Sequence, residues 1–203
     1  MEMKGLHVAI VHRRFALGGA EEVSRQTACL FSDLGIHTHF FAETHIATEW
    51  ALPADPLIDL SLLPQGMRLW TKESALYLVR AFKERGVKVL IIPIALRNDY
   101  LPLIRAAGIK IIYWCHSSPL WELVDRRERA SYKAHHPWYK NLYSLTLRRL
   151  RLALTSAEKL RTRYRDLVWQ VDCFITLTPE YVQEFVSALG LNDEEASRFA
   201  VIP

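Results

Sequence analysis

Length and composition describe an ordinary globular protein. The chain has 203 residues, of which 50% are apolar and 24% charged, and its formal net charge is +4. That length suffices for one large α/β domain with a well-filled core. The sequence contains no run of 18 apolar residues, which excludes a membrane-spanning helix, and it does not open on a secretory signal pattern. Cys29, Cys115 and Cys173 lack zinc-ligand spacing and indicate reduced thiols in a cytoplasmic protein.

The first forty residues predict a strand, a glycine-containing loop and a helix. An apolar strand, Leu6–His12, leads into the loop Arg13–Glu21, and a helix is expected over Gly19–Leu34. Glycines between a strand end and a helix start let backbone N–H groups approach a ligand, and anions favour helix N-termini. Gly18 and Gly19 are therefore candidates for a phosphate or sugar cradle. The alternative is a tight turn in which Glu21 complements the helix dipole.

The rest of the chain alternates between short apolar runs and helical patterns. Further strands are expected at Thr38–Glu43, Leu57–Leu60, Val87–Pro93, Lys110–Cys115, Cys173–Thr178 and Ala200–Ile202. Helices are expected at Lys72–Arg85, Asp99–Ala107 and Pro179–Leu189, each followed by glycine. This alternation predicts an α/β fold with a doubly wound, mostly parallel, Rossmann-like sheet that carries helices on both faces.

The second half of the chain carries a concentrated positive charge. Residues 132–165 hold nine Lys or Arg and one acid, Glu158. The preceding segment, Trp121–Trp138, is polar, aromatic and basic, and predicts a mobile surface segment. A long helix is expected over 142–169, and its apolar stripe is expected to face the core: Tyr143, Leu147, Leu150, Leu154, Ala157, Leu160, Tyr164, Leu167 and Val171.

The basic face of helix 142–169 has three interpretations. It is a solvated polar surface, or it docks on an anionic membrane, where each Lys or Arg contributes roughly 1 kcal/mol. In the membrane case, aromatic residues would lie at the headgroup level: Tyr132, Trp138, Tyr139 and Tyr143. Nucleic acid is the least favoured partner, because no binding motif accompanies the charge.

A histidine follows the strand Lys110–Cys115. The run ends in His116-Ser117-Ser118-Pro119, and ligands of doubly wound sheets bind outside the carboxyl ends of the strands. A neutral imidazole both donates and accepts a hydrogen bond, which suits sugar hydroxyls. We therefore expect His116 and Ser117 to contact a ligand; a structural histidine is the alternative.

Charged residues follow the first two strands at the same predicted edge. Arg14 is a candidate contact for an acidic acceptor, and a solvated loop is the alternative. Glu43 ends the second strand and could mimic a ribose-binding acid. Two further functional classes therefore stay open, namely an NAD-type domain of an oxidoreductase or epimerase and a non-enzymatic membrane-surface docking module.

Several blocks of the sequence resemble, in order, the N-terminal domain of family 4 glycosyltransferases of GT-B fold. The most specific is the strand that leads into Leu17-Gly18-Gly19-Ala20-Glu21. The apolar strand that ends in a histidine, Tyr113–His116, also resembles that family. The others are Gly35–His39, the Asp172–Pro179 pattern of an aspartate, an apolar strand and a threonine, and the linker-like Ala200–Pro203.

This resemblance implies an enzyme that transfers a sugar from a nucleotide-sugar to a glycan or lipid-linked acceptor, in bacterial polysaccharide or glycolipid synthesis. Residues 1–203 would be its single N-terminal, acceptor-side domain, and the C-terminal nucleotide-sugar domain would lie outside this chain. The chain alone would then be inactive, because the departing diphosphate would lack most of its stabilisation. The resemblance also implies retention of configuration, no cofactor and no essential metal, and an enzyme that is cytoplasmic or peripheral at the membrane.

The resemblance also assigns roles to individual residues. Gly18 and Gly19 would lie against the donor's phosphates or the acceptor. His116 would hydrogen-bond the transferred sugar or assist the acceptor, as the catalytic residue. Glu21 is counted with the substrate-binding residues, although its main role would be to shape the loop, and Thr178 would touch the ligand at the edge of the sheet.

Overall fold

The computed structural model describes residues 4–93, 100–131, 133–135, 137–150 and 157–202. Within them, seven strands form a single sheet: β1 (His7–Phe15), β2 (His37–His45), β3 (Ile58–Leu62), β4 (Val89–Ile92), β5 (Lys110–Trp114), β6 (Cys173–Thr176) and β7 (Phe199–Val201). The order is β3-β2-β1-β4-β5-β6-β7, and every neighbouring pair is parallel. The predicted Rossmann-like α/β class is confirmed.

Helices connect these strands: α1 (Gly19–Asp33), α2 (Lys72–Glu84), α3 (Leu101–Ala106), α4 (Trp121–Arg129), α5 (Trp138–Tyr143), α6 (Ala157–Gln170), α7 (Pro179–Leu189) and α8 (Asp193–Ala196). A π-helical turn, Ser144–Arg148, continues α5. The predicted helix ends have the expected local causes. Thr71 and Ser74 form a capping box at the start of α2. Gly190, at a φ of 62°, ends α7 in the left-handed conformation that glycine adopts without strain.

The sheet has an apolar core on each face. Ala9 and Val11 of β1 belong to the larger core, which α2, α3, α6 and α7 cover. Val8 and Ile10 face the other way, into the smaller core that α1 covers. Because central parallel strands are buried on both faces, they appear in the sequence as continuous apolar runs.

The first strand is longer than predicted. Arg13–Phe15 was expected to be loop, but Arg14 pairs with Thr44 and Phe15 with His45 of β2. Phe15 is fully buried and its ring stacks on Trp50 at 4.4 Å between centroids. This aromatic contact extends the strand, so the glycine loop is shorter than the sequence indicated.

The segment Trp121–Trp138, predicted to be a mobile surface segment, contains the helix α4 in its first half. Glu, Leu and Arg favour helices, so a polar composition did not mean an irregular backbone there. The hydroxyl of Tyr164 on α6 donates to Glu122 of α4 at 2.9 Å, and Ala130, just after α4, is buried. Tertiary contacts therefore hold this segment against the domain.

In place of the long helix predicted over 142–169, the described residues contain α5 with its π-helical turn, and α6 from Ala157. Residues 151–156 lie outside the described part, as do Tyr132 and Asp99. The second half of the apolar stripe faces the core as predicted: Leu160, Tyr164, Leu167 and Val171 are buried. The first half does not. Leu147 and Leu150 are 50% and 57% exposed, so the expectation of a wholly core-facing stripe is wrong there.

Asp172 joins the start of β6 to β5, and its loss should destabilise the fold. Its carboxylate accepts hydrogen bonds from the Ile111 N–H at 2.9 Å and from Lys110 Nζ at 3.0 Å. Burial opposes ionisation, but these bonds prevail and lower the pKa of Asp172. We expect Asp172→Asn to reduce the free energy of unfolding by about 1–2 kcal/mol at pH 7, measured by urea denaturation.

The exposed Asp166→Asn is the control and should have little effect. A lowered carboxyl pKa stabilises the fold at neutral pH, and this contribution is lost as the pH falls through the lowered pKa. The difference between Asp172→Asn and the native chain should therefore shrink in acid. Equal stability of the two proteins at pH 7 would contradict this role.

Candidate functional site

The parallel sheet brings the predicted site residues to one edge. Gly18 follows β1, His116 follows β5 and Thr178 follows β6, and only β4 separates β1 from β5. Because the strands are parallel, these three segments all leave the sheet at its carboxyl edge. This is the arrangement that a shared ligand site requires, while the binding roles of the residues stay predictions.

The backbone conformation of the loop does not require glycine at position 18 or 19. Gly18 is the N-cap of α1 with an extended φ of −172°, and its carbonyl accepts the Glu22 N–H at 3.0 Å. A Cβ atom on Gly18 would collide with the Glu21 carboxylate, whereas a Cβ on Gly19 would meet no atom within 4 Å. Gly18 therefore makes room for a side chain of the protein itself. Gly19 faces open space, where a ligand can approach its backbone.

Glu21 occupies the place that the sequence assigned to a bound anion. Its carboxylate lies over Gly18 at the N-terminus of α1, where negative charge complements the helix dipole. The side chain is 19% exposed, and its Oε1 is 3.8 Å from Nδ1 of His12. The predicted loop-shaping role of Glu21 agrees with this position.

His12 is the residue of this edge that the sequence analysis did not select. It shares the inward face of β1 with Val8 and Ile10 and is 1% exposed. Its Nε2 lies 2.8 Å from the Ser24 hydroxyl, which itself donates to the Ala20 carbonyl at 2.8 Å. The hydroxyl has one proton, so His12 carries its proton on Nε2 and presents a lone pair at Nδ1. Nδ1 is buried and has no hydrogen-bond partner among the described residues.

His116 acts electrostatically on His12. Burial, and then the nearby His116, lower the pKa of His12 to about 3. Burial also lowers the pKa of His116, so both rings are neutral at pH 7. Nε2 of His116 is buried without a partner in the described part of the chain, and its ring lies 4.9 Å from the Trp114 ring. The signal that could have identified His12 is a histidine at an inward, otherwise apolar position of a strand end.

Arg14 lies beside the glycine loop but is already engaged. Its Nη2 is 3.8 Å from Oε2 of Glu49, and its side chain is 55% exposed. The same carboxylate oxygen accepts the Leu17 N–H at 3.4 Å. Leu17, Gly18, Glu49 and Trp50 line part of a shallow pocket of about 320 Å³.

Ser117 and Thr178 have local structural roles at the same edge. The Thr178 hydroxyl accepts the Tyr181 N–H at 3.3 Å and so caps α7. The Ser117 carbonyl accepts a hydrogen bond from the Cys115 thiol at 3.2 Å. Contact with a ligand stays a prediction for both residues. Among the described residues, no three His, Cys, Asp or Glu side chains are grouped so as to hold a metal ion.

No protein-family model and no curated protein matches this sequence. Solved structures do match in fold. One is WaaG, a glycosyltransferase involved in lipopolysaccharide biosynthesis, with a TM-score of 0.54, 14% identity, and coverage of 97% of this chain and 44% of WaaG. UGT2 of Phytolacca americana matches with a TM-score of 0.55 and 12% identity over 98% of this chain and 53% of that one.

A third match is a UDP-glucosyltransferase from Polygonum tinctorium that glucosylates indoxyl, with a TM-score of 0.52, 13% identity, and coverage of 100% and 53% of the two chains. At these identities the likeness concerns the fold. The chain therefore has the fold of one domain of GT-B glycosyltransferases, as the resemblance implied. It spans about half the length of the structures that it matches.

The two glycines should respond differently to alanine. Gly19→Ala places its Cβ in open space in the first turn of a helix, so we expect unchanged or slightly higher stability, by up to about 1 kcal/mol. Gly18→Ala must displace the Glu21 side chain, so it should be the less stable of the two variants. Thermal denaturation measures both.

The double variant Gly18→Ala/Glu21→Ala tests whether the collision with the Glu21 carboxylate causes the loss of stability in Gly18→Ala. Removing the carboxylate should abolish the penalty of the added methyl group, because nothing then occupies its place. An equal penalty with and without Glu21 would show that the collision is not what excludes a side chain at Gly18.

Proposed function

We propose that this chain is the acceptor-side domain of a glycosyltransferase, which transfers a sugar from a nucleotide-sugar donor to a glycan or lipid-linked acceptor in polysaccharide or glycolipid synthesis. One observation carries the proposal. In a fold shared with such enzymes, the glycine loop after β1 and the neutral His116 after β5 lie at the same edge of a parallel sheet, the edge where ligands bind in such folds.

His116 is the catalytic residue in this proposal. Its ring is neutral at pH 7, and Nε2 has no partner among the described residues. A neutral imidazole both accepts and donates a hydrogen bond, so it can hold a hydroxyl of the transferred sugar or orient the acceptor hydroxyl. The exposed backbone at Gly19 would approach the donor or the acceptor from the side of α1.

In this proposal, a second domain outside residues 1–203 binds the nucleotide. The matched glycosyltransferases are about twice as long as this chain, and its own loop already holds a carboxylate where a phosphate would bind. The departing diphosphate needs positive charge or N–H donors, which a second domain would supply. The 203-residue chain alone is therefore expected to transfer no sugar above the uncatalysed rate.

The NAD-type alternative depended on Glu43 as a ribose-binding acid. One oxygen of that carboxylate accepts the Leu69 N–H at 2.7 Å, and the other accepts from Arg13 Nε at 3.3 Å. A carboxylate that ties β2 to the following segment is a poor ribose ligand, because binding the 2′-hydroxyl would disrupt these bonds. The structure therefore favours sugar transfer over this alternative.

Replacing His116 should abolish transfer without unfolding the domain. In the longest natural chain that contains these residues, we expect His116→Ala to lower kcat by about 100-fold or more, as removal of a proton-transfer or orienting group does. Transfer of radiolabelled sugar measures this. His37→Ala at the opposite edge of the sheet is the matched control and should retain activity. A fully active His116→Ala enzyme would exclude the catalytic role.

A membrane partner is the second part of the proposal. Within the described residues, no helix is long and apolar enough to cross a bilayer. The segment 138–150, however, has inverted polarity, since Asn141 and Ser144 are buried while all its large apolar residues except Leu145 are exposed. The Asn141 side chain accepts from the Lys133 N–H and donates to the Lys133 carbonyl, both at 3.0 Å. A polar anchor thus holds this segment with its apolar face outward.

The exposed face of segment 138–150 combines apolar and basic residues. Trp138 is 76% exposed, and Leu142 and Leu147 are 54% and 50% exposed. Lys140 and Arg149 are exposed on the same segment. Apolar side chains that can enter the headgroup region, next to cations that attract anionic lipid, match the surface of an anionic membrane. We propose that the enzyme meets its lipid-linked acceptor there.

Two leucines of this face provide the test. Leu142→Ser/Leu147→Ser should weaken binding to phosphatidylserine-containing vesicles about tenfold or more, because the burial of two leucines is lost. Flotation of the purified chain measures this. The control, Leu30→Ser/Leu76→Ser, changes two leucines that are equally exposed on α1 and α2 and should bind normally. The native chain should lose binding in high salt. Equal flotation of both variants, or a salt-resistant dimer formed through this face, would refute the membrane assignment.

A further inference from the structure

The backbone of Glu21 is held in place, but its carboxylate has no hydrogen-bond donor among the described residues. The Trp50 Nε1–H donates to the Glu21 carbonyl at 3.1 Å, which fixes the backbone of this turn. The side chain extends back over Gly18, yet no hydrogen-bond donor contacts its oxygens in the described part of the chain. The neighbouring Glu22 differs, because Arg25 and Gln26 both donate to its carboxylate. Of the two adjacent acids, Glu21 is the one with unused acceptor capacity.

A second unused acceptor lies directly behind it. Nδ1 of His12 presents a lone pair, since the Ser24 hydroxyl fixes the ring proton on Nε2. The His12 side chain is fully buried, and Nδ1 is 3.8 Å from Oε1 of Glu21. Two acceptors at this distance, with no proton between them, leave a buried lone pair unsatisfied, which is costly. The position is thus complete only with a hydrogen-bond donor.

The chemistry of the two groups restricts what that donor is. A phosphate brings negative charge and acceptor oxygens, so the Glu21 carboxylate repels it and the His12 lone pair cannot bond to it. A metal ion would find no third ligand grouped with these two among the described residues. The hydroxyl groups of an uncharged sugar supply donors without charge, and a carboxylate is a strong acceptor for them.

We propose that Glu21 is a sugar-binding residue of this domain, whose carboxylate accepts hydrogen bonds from hydroxyls of an uncharged sugar ring, with the buried His12 ring 3.8 Å behind it. This inference rests on the proposed function and deepens it. It assigns the glycine loop to sugar hydroxyls and not to the diphosphate. Gly18 then serves to admit the carboxylate, and the open face at Gly19 admits the ring.

Selective binding tests the assignment on the 203-residue chain. Saturation-transfer NMR is recorded with a panel of uncharged methyl glycosides (gluco, galacto, manno and N-acetylglucosamine) and, separately, binding of inorganic pyrophosphate is titrated. We expect at least one glycoside to bind. Glu21→Gln should lower the affinity for that glycoside about tenfold or more, as loss of a charged hydrogen bond does. It should not lower the affinity for pyrophosphate. Glu22→Gln is the matched control and should bind the glycoside normally.

The His12 ring behind the carboxylate provides a spectroscopic signature of the bound sugar. In the ¹⁵N-labelled native chain, His12 should be the Nε2–H tautomer, and the bound glycoside should shift its Nδ1 resonance. The shift should be absent in Glu21→Gln and present in Glu22→Gln. A merely structural histidine would show no ligand-dependent shift that depends on Glu21.

The outcomes separate this inference from the function it rests on. Absence of glycoside binding, equal glycoside binding by Glu21→Gln and the native chain, or a His12 shift caused by pyrophosphate would overturn it, and sugar transfer by the two-domain enzyme could still hold. Glycoside binding that depends on Glu21, in an enzyme that transfers no sugar from any nucleotide donor, would instead retain the sugar site and overturn the proposed function.

Discussion

The parallel pairing of β1, β4 and β5 is the constraint on which the site depends. Val8 pairs with Val89 and Ile91 pairs with Ile112, so the three strands advance in the same direction. The chain therefore leaves every one of these strands at the same edge, and residues distant in the sequence, such as Gly18 and His116, come to that edge together. The influence of His116 on the charge of His12 is the direct electrostatic consequence. If β5 ran in the opposite direction, His116 would lie at the opposite edge of the sheet, away from the glycine loop.

Burial then determines what these residues can do. His12 lies under α1 among apolar side chains, and its desolvation keeps the ring neutral at every pH at which the protein would work. A neutral ring cannot form an ion pair with Glu21. The Glu21 side chain consequently keeps its acceptor oxygens free of an internal donor, although an imidazole lies within 4 Å of it. The same ring, if protonated, would satisfy Glu21 internally and remove it from any ligand.

The sequence predicted the fold well because periodicity and end signals are local. Buried strands such as Val89–Ile92 appear as apolar runs, and Thr178 and Gly190 mark both ends of α7. Its errors involve distant contacts. Phe15 joined β1 because it stacks on Trp50, and the polarity of segment 138–150 was misread because Asn141 is buried through its bonds to Lys133. The sequence did not identify His12 as a site residue, because only the fold shows that its Nδ1 faces Glu21 without a proton between them.

The distribution of charge at this edge bears directly on the proposed function. The helix N-terminus at Gly18 is the natural anion site of such a sheet, yet this chain fills it with its own carboxylate. The nearby Arg14 is close to Glu49, and both histidines are neutral. Little positive charge is thus available here to a leaving diphosphate, whereas acceptors and neutral donors for hydroxyls are present. Sugar transfer requires both, so under the proposed function this domain would orient the uncharged reactants and a second domain would stabilise the charge that develops.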